Sequence, residues 1–148
     1  MDWNHYRFTS VWELPAPPDT VYAALERAED YPRWWPQVRE ISRIDDCAAT
    51  ARFRSSLPYD LVLTLRQHHR DPASRTLEAT MNGDLDGWAR WTVAPQEGGS
   101  RVTYEQEVDV RKALLRRLAV PGRLLFRANH TLMMRAGCRG LRAWLEAV

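Results

Sequence analysis

Between Val38 and Arg111 the sequence repeats one pattern, in which short segments alternate apolar and polar residues. This period of two predicts half-buried strands at 38–46, 50–57, 60–70, 75–82, 85–94 and 101–110. The breaks between them, such as Asp71-Pro72-Ala73-Ser74 and Asn82-Gly83, are typical turn sequences. Because these breaks are too short for a crossover helix, neighbouring strands must run antiparallel. The pattern therefore predicts that half of the chain forms one antiparallel sheet.

The N-terminal region adds a seventh strand and two short helices. Residues 5–14 alternate in the same way, so they predict a further half-buried strand. The segment Pro15-Ala16-Pro17-Pro18-Asp19 ends that strand and begins a helix, because proline is tolerated in a first turn and Asp19 suits the positive end of the helix dipole. Arg33-Trp34-Trp35-Pro36 predicts a second, very short helix bounded by prolines.

The C-terminal residues 112–148 have helical periodicity. Pro121-Gly122 divides them into a short helix from Lys112 to Ala119 and a long helix that follows. On a helical wheel one side of the long helix is mostly apolar, and the opposite side carries Arg135, Arg139 and Arg142. The apolar side holds Phe126, His130, Met133, Met134, Gly137, Leu141, Trp144, Leu145 and Val148. We expect this side to pack on the curved sheet and to leave space between them.

Composition limits the class of protein. With 148 residues, 45% apolar and 27% charged, the chain predicts one globular domain over 1–148. No apolar run could span a bilayer, and the N-terminus does not resemble a signal peptide. The two cysteines, Cys47 and Cys138, are too few for a disulfide scaffold. We therefore expect a cytoplasmic protein whose cysteines are small buried fillers.

The charge is unevenly distributed along the chain. From Arg111 to Leu145 there are nine basic residues and no acidic one, although the net charge is only +2. Such a stripe could attract nucleic acid or an anionic membrane. We favour a solvated helix face and expect no nucleic acid, because no aromatic residues interleave with the arginines. Membrane contact through the arginine face stays an alternative.

Polar residues fall on the predicted inner face of an otherwise apolar layer. They are Gln67, His69, Tyr104, Gln106, Asn129 and His130. A buried polar group without a partner costs about 1–3 kcal/mol, so several that converge from separate elements predict a cavity that holds water or a ligand. Taken alone, His130 also fits a hydrogen-bonded core histidine, and His69 also fits an exposed turn.

Common catalytic motifs are missing from the sequence. It has no nucleophile elbow, no zinc-binding H-E-x-x-H helix, no P-loop and no dinucleotide fingerprint. We therefore expect no metal and no cofactor. Proton transfer to or from a bound ligand by His130 or Tyr104 is the remaining catalytic chemistry.

Several segments in this order resemble the START/Bet v 1-like (SRPBCC) superfamily, and within it the bacterial polyketide cyclase/dehydrase-like branch. The segments are Ala16-Pro17-Pro18-Asp19-Thr20-Val21-Tyr22-Ala23-Ala24-Leu25, Tyr31-Pro32-Arg33-Trp34-Trp35-Pro36, Gly83-Asp84-Leu85-Asp86-Gly87 with Trp91, and Asn129-His130 with Met134 and Gly137. The resemblance implies an α+β helix-grip fold. In that fold a curved seven-stranded antiparallel sheet wraps around a long C-terminal helix over a deep hydrophobic cavity.

The resemblance also implies a range of functions. Members bind lipids, sterols, polyketides, quinones or plant hormones, and some catalyse cyclisation or aromatisation. In the aromatase/cyclases a cavity arginine helps to position the substrate, and the nearest position in this chain is His69. In ubiquinone-binding members a segment similar to Tyr31–Pro36 lies at the cavity entrance, so Trp34 and Trp35 are expected there.

Three hypotheses follow from the residues and the resemblance. The first is a monomer or homodimer that binds a hydrophobic small molecule, such as a polyketide, an aromatic compound or a lipid. Its walls would be Trp34, Trp35, Leu65, Trp91, Tyr104, Phe126, Met133 and Met134, and its polar contacts Gln67, His69, Gln106, Asn129 and His130. The second is a polyketide cyclase/dehydratase that uses His130 or Tyr104, and the third is a lipid or quinone chaperone.

Overall fold

The computed structural model describes residues 4–54, 60–111 and 121–147. The strands in these ranges are β1 (His5–Leu14), β2 (Val38–Asp45), β3 (Ala48–Arg54), β4 (Asp60–Asp71), β5 (Thr76–Gly83), β6 (Leu85–Gln96) and β7 (Gly99–Val110). The helices are α1 (Pro18–Glu26), α2 (Tyr31–Trp34) and α3 (Pro121–Glu146), and a 3-10 turn at Ala28–Asp30 precedes α2. None of these helices has the length and hydropathy that a membrane span requires.

The strands form one antiparallel sheet in the order β1-β7-β6-β5-β4-β3-β2. The first strand pairs with the last, so that Phe8 lies opposite Gln106. Because β1 and β2 are at opposite edges, the segment with α1 and α2 has to cross from one edge to the other. It does so on the face that α3 also covers, since α1 contacts β6 and β7 while α2 contacts β2 and α3. The predicted helix-grip α+β fold is confirmed.

The strand boundaries differ from the predictions mainly at turns. The strand predicted from residue 50 already begins at Ala48, and its predicted end at 57 lies outside the described residues, as does the predicted helix from Lys112 to Ala119. The β6–β7 hairpin is longer than expected, because Gln96 pairs with Gly99 around a tight turn. Gly98 in this turn has a φ of 82°, which a glycine adopts without strain.

The apolar side of α3 faces the sheet as predicted. Phe126, Met134 and Leu141 are buried in the core cluster, and Trp144 packs against it from a half-buried position. Arg135, Arg139 and Arg142 are exposed on the opposite side. The amphipathic pattern therefore gives the correct orientation of the long helix.

Two glycines allow α3 to approach α2 very closely. A Cβ atom on Gly137 would lie 2.6 Å from Cε2 of Trp35, and one on Gly140 would lie 1.7 Å from the carbonyl oxygen of Trp34. The indole Nε1 of Trp35 donates a hydrogen bond of 2.9 Å to the carbonyl oxygen of Met133. Glycine is required at both positions because any side chain would push the helix away from the two tryptophans.

Cys47 differs from its predicted role as a buried filler, whereas Cys138 fits that role in part. Cys47 is exposed, because it follows β2 in the turn where the chain reverses into β3. Cys138 is half-buried and packs against the core, and burial raises the pKa of its thiol.

The close contact of α3 with α2 predicts the effect of Gly140→Ala. Alanine raises helix propensity by about 1 kcal/mol, but overpacking against a backbone carbonyl costs about 1–3 kcal/mol or more. We expect a net loss of about 1–2 kcal/mol in the free energy of unfolding, measured by urea denaturation. Arg139→Ala, at an exposed neighbouring position, should change it by less than about 0.5 kcal/mol. Equal stability of Gly140→Ala and the wild type would show that the two segments are not in tight contact.

Candidate functional site: a cavity between the sheet and the C-terminal helix

A cavity of about 250 Å³ lies between the concave face of the sheet and α3. The sheet contributes residues from β2 to β7, including Leu65, Trp91 and Tyr104. The helix contributes Phe126 and residues one and two turns further along. The C-terminal half of α3 is held against α2 at Gly137 and Gly140. Its N-terminal half contacts β1, where the ring centroids of His130 and Phe8 are 3.7 Å apart.

Most of the candidate residues line this cavity. They are Trp35, Leu65, Gln67, His69, Trp91, Tyr104, Gln106, Phe126, Asn129, His130 and Met133. Gln67 and His69 are exposed, because the end of β4 extends beyond the cover of the helix. They lie at the mouth of the cavity, whereas Tyr104, Gln106 and Asn129 are buried.

Trp34 and Met134 are not among the described residues that line the cavity. Trp34 is only 5% exposed and stacks on Trp35 with 5.5 Å between ring centroids. Trp35 is 4% exposed, so neither tryptophan is at an entrance. The prediction of an entrance position was wrong because the pair is covered by α3 at Gly137 and Gly140.

Gln106 is the centre of a hydrogen-bonded polar group inside the cavity. Its Oε1 accepts one hydrogen bond from the Tyr104 hydroxyl at 2.9 Å. The same oxygen lies 3.0 Å from Nε2 of His130, which joins β7 to α3. Its Nε2 donates to the sulfur of Met81 at 3.6 Å. Sulfur is a weak acceptor, so this amide nitrogen is the less satisfied end of the side chain.

This arrangement determines the tautomer of His130. The amide oxygen of Gln106 can only accept, so Nε2 of His130 must carry a proton and Nδ1 of the neutral ring is the acceptor. Burial, helped by the positive charge of Arg127, lowers the pKa of His130 to about 4. Burial also raises the pKa of the Tyr104 hydroxyl. Both groups are therefore neutral at pH 7.

Two neighbours of this polar group were not among the predicted site residues. Phe8 stacks on the His130 ring at 3.7 Å between centroids, almost parallel to it. Met81 supplies the sulfur that faces Gln106. The alternation in each strand places both residues on the inner face, but only the β1–β7 register brings Phe8 next to Gln106 and thus to His130.

Aromatic rings form a continuous layer along one side of the cavity. The ring centroids of Trp91 and Tyr104 are 4.6 Å apart, and those of Trp35 and Trp91 are 6.2 Å apart. Trp12 lies behind them, 5.0 Å from Trp91. Such contacts add about 0.5–1.5 kcal/mol per pair beyond area burial, so the layer is a stable wall.

Charged residues are found at the mouth of the cavity. Arg70 pairs with Glu26 at 3.2 Å, and Arg43 pairs with Glu29 at 3.3 Å. Each pair joins the sheet to the segment between β1 and β2. The arginine side chains are 50% and 56% exposed, so these pairs contribute little to stability. They do, however, neutralise the arginines that an entering ligand would meet.

The fold and this cavity define a helix-grip class of protein. A family model described as polyketide cyclase/dehydrase and lipid transport matches residues 5–146. The chain therefore belongs to this family, and the resemblance to the START/Bet v 1-like superfamily is confirmed. A comparison with curated proteins found no match.

Several solved structures share the fold. The Zhui aromatase/cyclase from Streptomyces sp. R1128 is 15% identical with a TM-score of 0.73, covering 96% of this chain and 93% of its own. A protein of Thermus thermophilus is 16% identical with a TM-score of 0.77, covering 97% of both chains. A START superfamily protein from Mycobacterium smegmatis is 14% identical with a TM-score of 0.71, covering 97% of both chains. At these low sequence identities, the comparisons show a shared fold alone.

The low pKa of His130 predicts a contribution to acid sensitivity. In the unfolded chain this imidazole titrates near 6.5, and in the folded protein near 4. Below pH 6.5 the unfolded state therefore binds more protons, and this destabilises the folded state by about 1.4 kcal/mol per pH unit down to about pH 4. His130→Phe cannot take up this proton. As the pH falls from 7 to 4.5, the free energy of unfolding should therefore decrease more for the wild type than for the variant. A difference that does not depend on pH would contradict the neutral, buried histidine.

Proposed function

We propose that this protein binds a hydrophobic small molecule in the cavity between the sheet and α3. The observation that carries the proposal is an apolar, aromatic-lined space with one compact polar group, Tyr104–Gln106–His130, on its wall. Ligand sites are mostly apolar with a few polar groups that fix orientation. The family description, which covers both cyclisation and lipid transport, supports the same use of the cavity.

The proposed ligand contacts follow from the lining. Trp35, Leu65, Trp91, Phe126 and Met133 supply apolar surface, and Gln106, Asn129 and His130 supply polar contacts. Gln67 and His69 contact whatever part of the ligand extends through the mouth. The whole chain acts as a single ligand-binding domain in this proposal.

A cyclase/dehydratase is the second candidate, and the geometry around His130 favours it specifically. Nδ1 of the neutral imidazole is an acceptor on a residue that lines the cavity, and an acceptor within reach of the ligand is what a general base requires. A pKa of about 4 makes it a weak base. Most of the rate would therefore come from holding a flexible substrate in a reactive conformation, which is worth roughly 7–11 kcal/mol when the geometry is good.

Filling the cavity should abolish binding. Ala89 is buried and lines the cavity, so Ala89→Phe places a ring in the ligand space. Ala94→Phe puts the same ring at an exposed position of the same strand and is the matched control. Native mass spectrometry after incubation with an apolar extract of the host should show ligand adducts on the wild type and on Ala94→Phe, reduced about tenfold or more on Ala89→Phe. Equal adducts on all three proteins, or none on the wild type, would refute cavity binding.

The two candidates differ in their response to His130→Ala. If the protein only binds, the ligand bound by the wild type leaves unchanged in mass, and the variant binds it with an affinity lowered by about tenfold or less. If the protein is a cyclase/dehydratase, the wild type converts a polyketone to a product lighter by one water per dehydration. The variant still binds the substrate but loses about 10²–10⁴-fold in rate. Equal turnover by both proteins would remove His130 from the chemistry.

A further inference from the structure

We propose that the ligand is a compact, uncharged aromatic compound of one or two rings that carries a carbonyl oxygen, which the Gln106 side-chain amide holds by an N–H···O hydrogen bond. The inference rests on the proposed function, because it names the chemical class that the same cavity takes. Four properties of the described residues support it: volume, wall shape, charge and hydrogen-bonding inventory.

The volume limits the size of the ligand. A cavity of about 150 Å³ holds one benzene molecule. At the same packing, the 250 Å³ of this cavity holds roughly ten non-hydrogen atoms, the size of two fused six-membered rings. A long polyketide chain or a fatty acid would leave most of its length outside the mouth.

The shape of the wall favours flat rings. Trp35, Trp91, Tyr104 and Phe126 all contribute to the lining. Ring faces and edges attract other aromatic rings in offset and tilted arrangements. The methionine side chains of Met81 and Met133 complete the wall and adapt to irregular ligand edges.

The charge distribution excludes ions from the interior. Among the described lining residues Glu26 and Glu29 already pair with Arg70 and Arg43, and Glu78 pairs with Arg90. The histidine further inside, His130, is neutral. An anionic ligand would therefore lose its hydration without gaining a free cation, and this is costly in an apolar space.

The hydrogen-bonding inventory points to an oxygen acceptor on the ligand. The Gln106 oxygen is already used by Tyr104 and His130, whereas its amide nitrogen carries two protons and has the Met81 sulfur as its partner among the described residues. A carbonyl oxygen is a much better acceptor than a thioether. A ligand carbonyl at this point would satisfy the buried amide.

A matched series of ligands tests these properties with the intact protein. The reference is 2-acetylnaphthalene, a two-ring ketone a few atoms larger than the roughly ten-atom interior, so that its far ring edge reaches the mouth. The compound 2-ethylnaphthalene has similar shape but no oxygen, 2-naphthoate adds a charge, and 1-acetylpyrene adds two rings. Dissociation constants are measured by quenching of tryptophan fluorescence, which reports on Trp35 and Trp91 in the wall.

We expect 2-acetylnaphthalene to bind about tenfold more tightly than 2-ethylnaphthalene, the value of one buried hydrogen bond. We expect 2-naphthoate to bind weaker than the ketone by a factor on the order of one hundred. We expect 1-acetylpyrene to bind about tenfold weaker or not at all, since it exceeds the cavity. Equal affinity for ketone and hydrocarbon, tight binding of the carboxylate, or a preference for the pyrene would each overturn the proposal.

Gln106→Leu identifies the hydrogen-bonding group. In this variant the preference for the ketone should disappear, while 2-ethylnaphthalene still binds within about threefold of the wild-type affinity and thereby shows that the cavity is intact. Gln96→Leu, at the end of β6 and outside the described cavity lining, should keep the preference. If Gln106→Leu no longer binds the hydrocarbon, the preference measured in the wild type alone decides the outcome.

Failure of this inference can be distinguished from failure of the proposed function. Suppose that none of the naphthalenes binds, but that the host extract gives long-chain or charged adducts that Ala89→Phe removes. The proposed ligand class is then wrong, and binding in the cavity stands. If neither the naphthalenes nor the extract gives adducts that Ala89→Phe removes, both proposals are wrong.

Discussion

The close approach of α3 to Trp34 and Trp35, at the C-terminal end of α2, is the constraint on which the rest of the structure depends. Gly137 and Gly140 leave no side chain between the helix and Trp34–Trp35, and the Trp35 indole bonds to the helix backbone at Met133. The helix is therefore fixed at its C-terminal half. Towards the N-terminal end of α3, Phe126 and His130 line the cavity and also pack against Tyr6 and Phe8 of β1.

The hydrogen-bonded group Tyr104–Gln106–His130 is the main polar feature of that space, beside the buried Asn129, and it determines what the space can do. The side-chain oxygen of Gln106 accepts hydrogen bonds from Tyr104 and His130, and Phe8 stacks on the imidazole ring. Burial keeps the histidine uncharged. A neutral, fixed polar group in an apolar cavity suits recognition of a ligand oxygen, and the lowered pKa leaves this histidine as a weak base.

The sequence predicted the cavity wall well wherever a period of two or 3.6 defined a face. The inward positions of Leu65, Trp91, Tyr104 and Gln106 follow from alternation, and those of Phe126 and His130 from the helical wheel. The same patterns failed at element ends. Gln67 and His69 have inward parity but lie at the exposed mouth, because parity does not say how far the helix covers a strand. Trp34 was expected at an entrance but is buried under α3.

The sequence by itself determined the order of elements, the antiparallel sheet and which side of α3 is buried, because short-range periodicity and turn residues encode these properties locally. Only the tertiary structure decided that Phe8 meets His130, that Gln106 joins Tyr104 to the helix, and that Cys47 is exposed. These contacts depend on strand register and on the gap between helix and sheet. Both arise from packing between residues far apart in the chain, which no local pattern records.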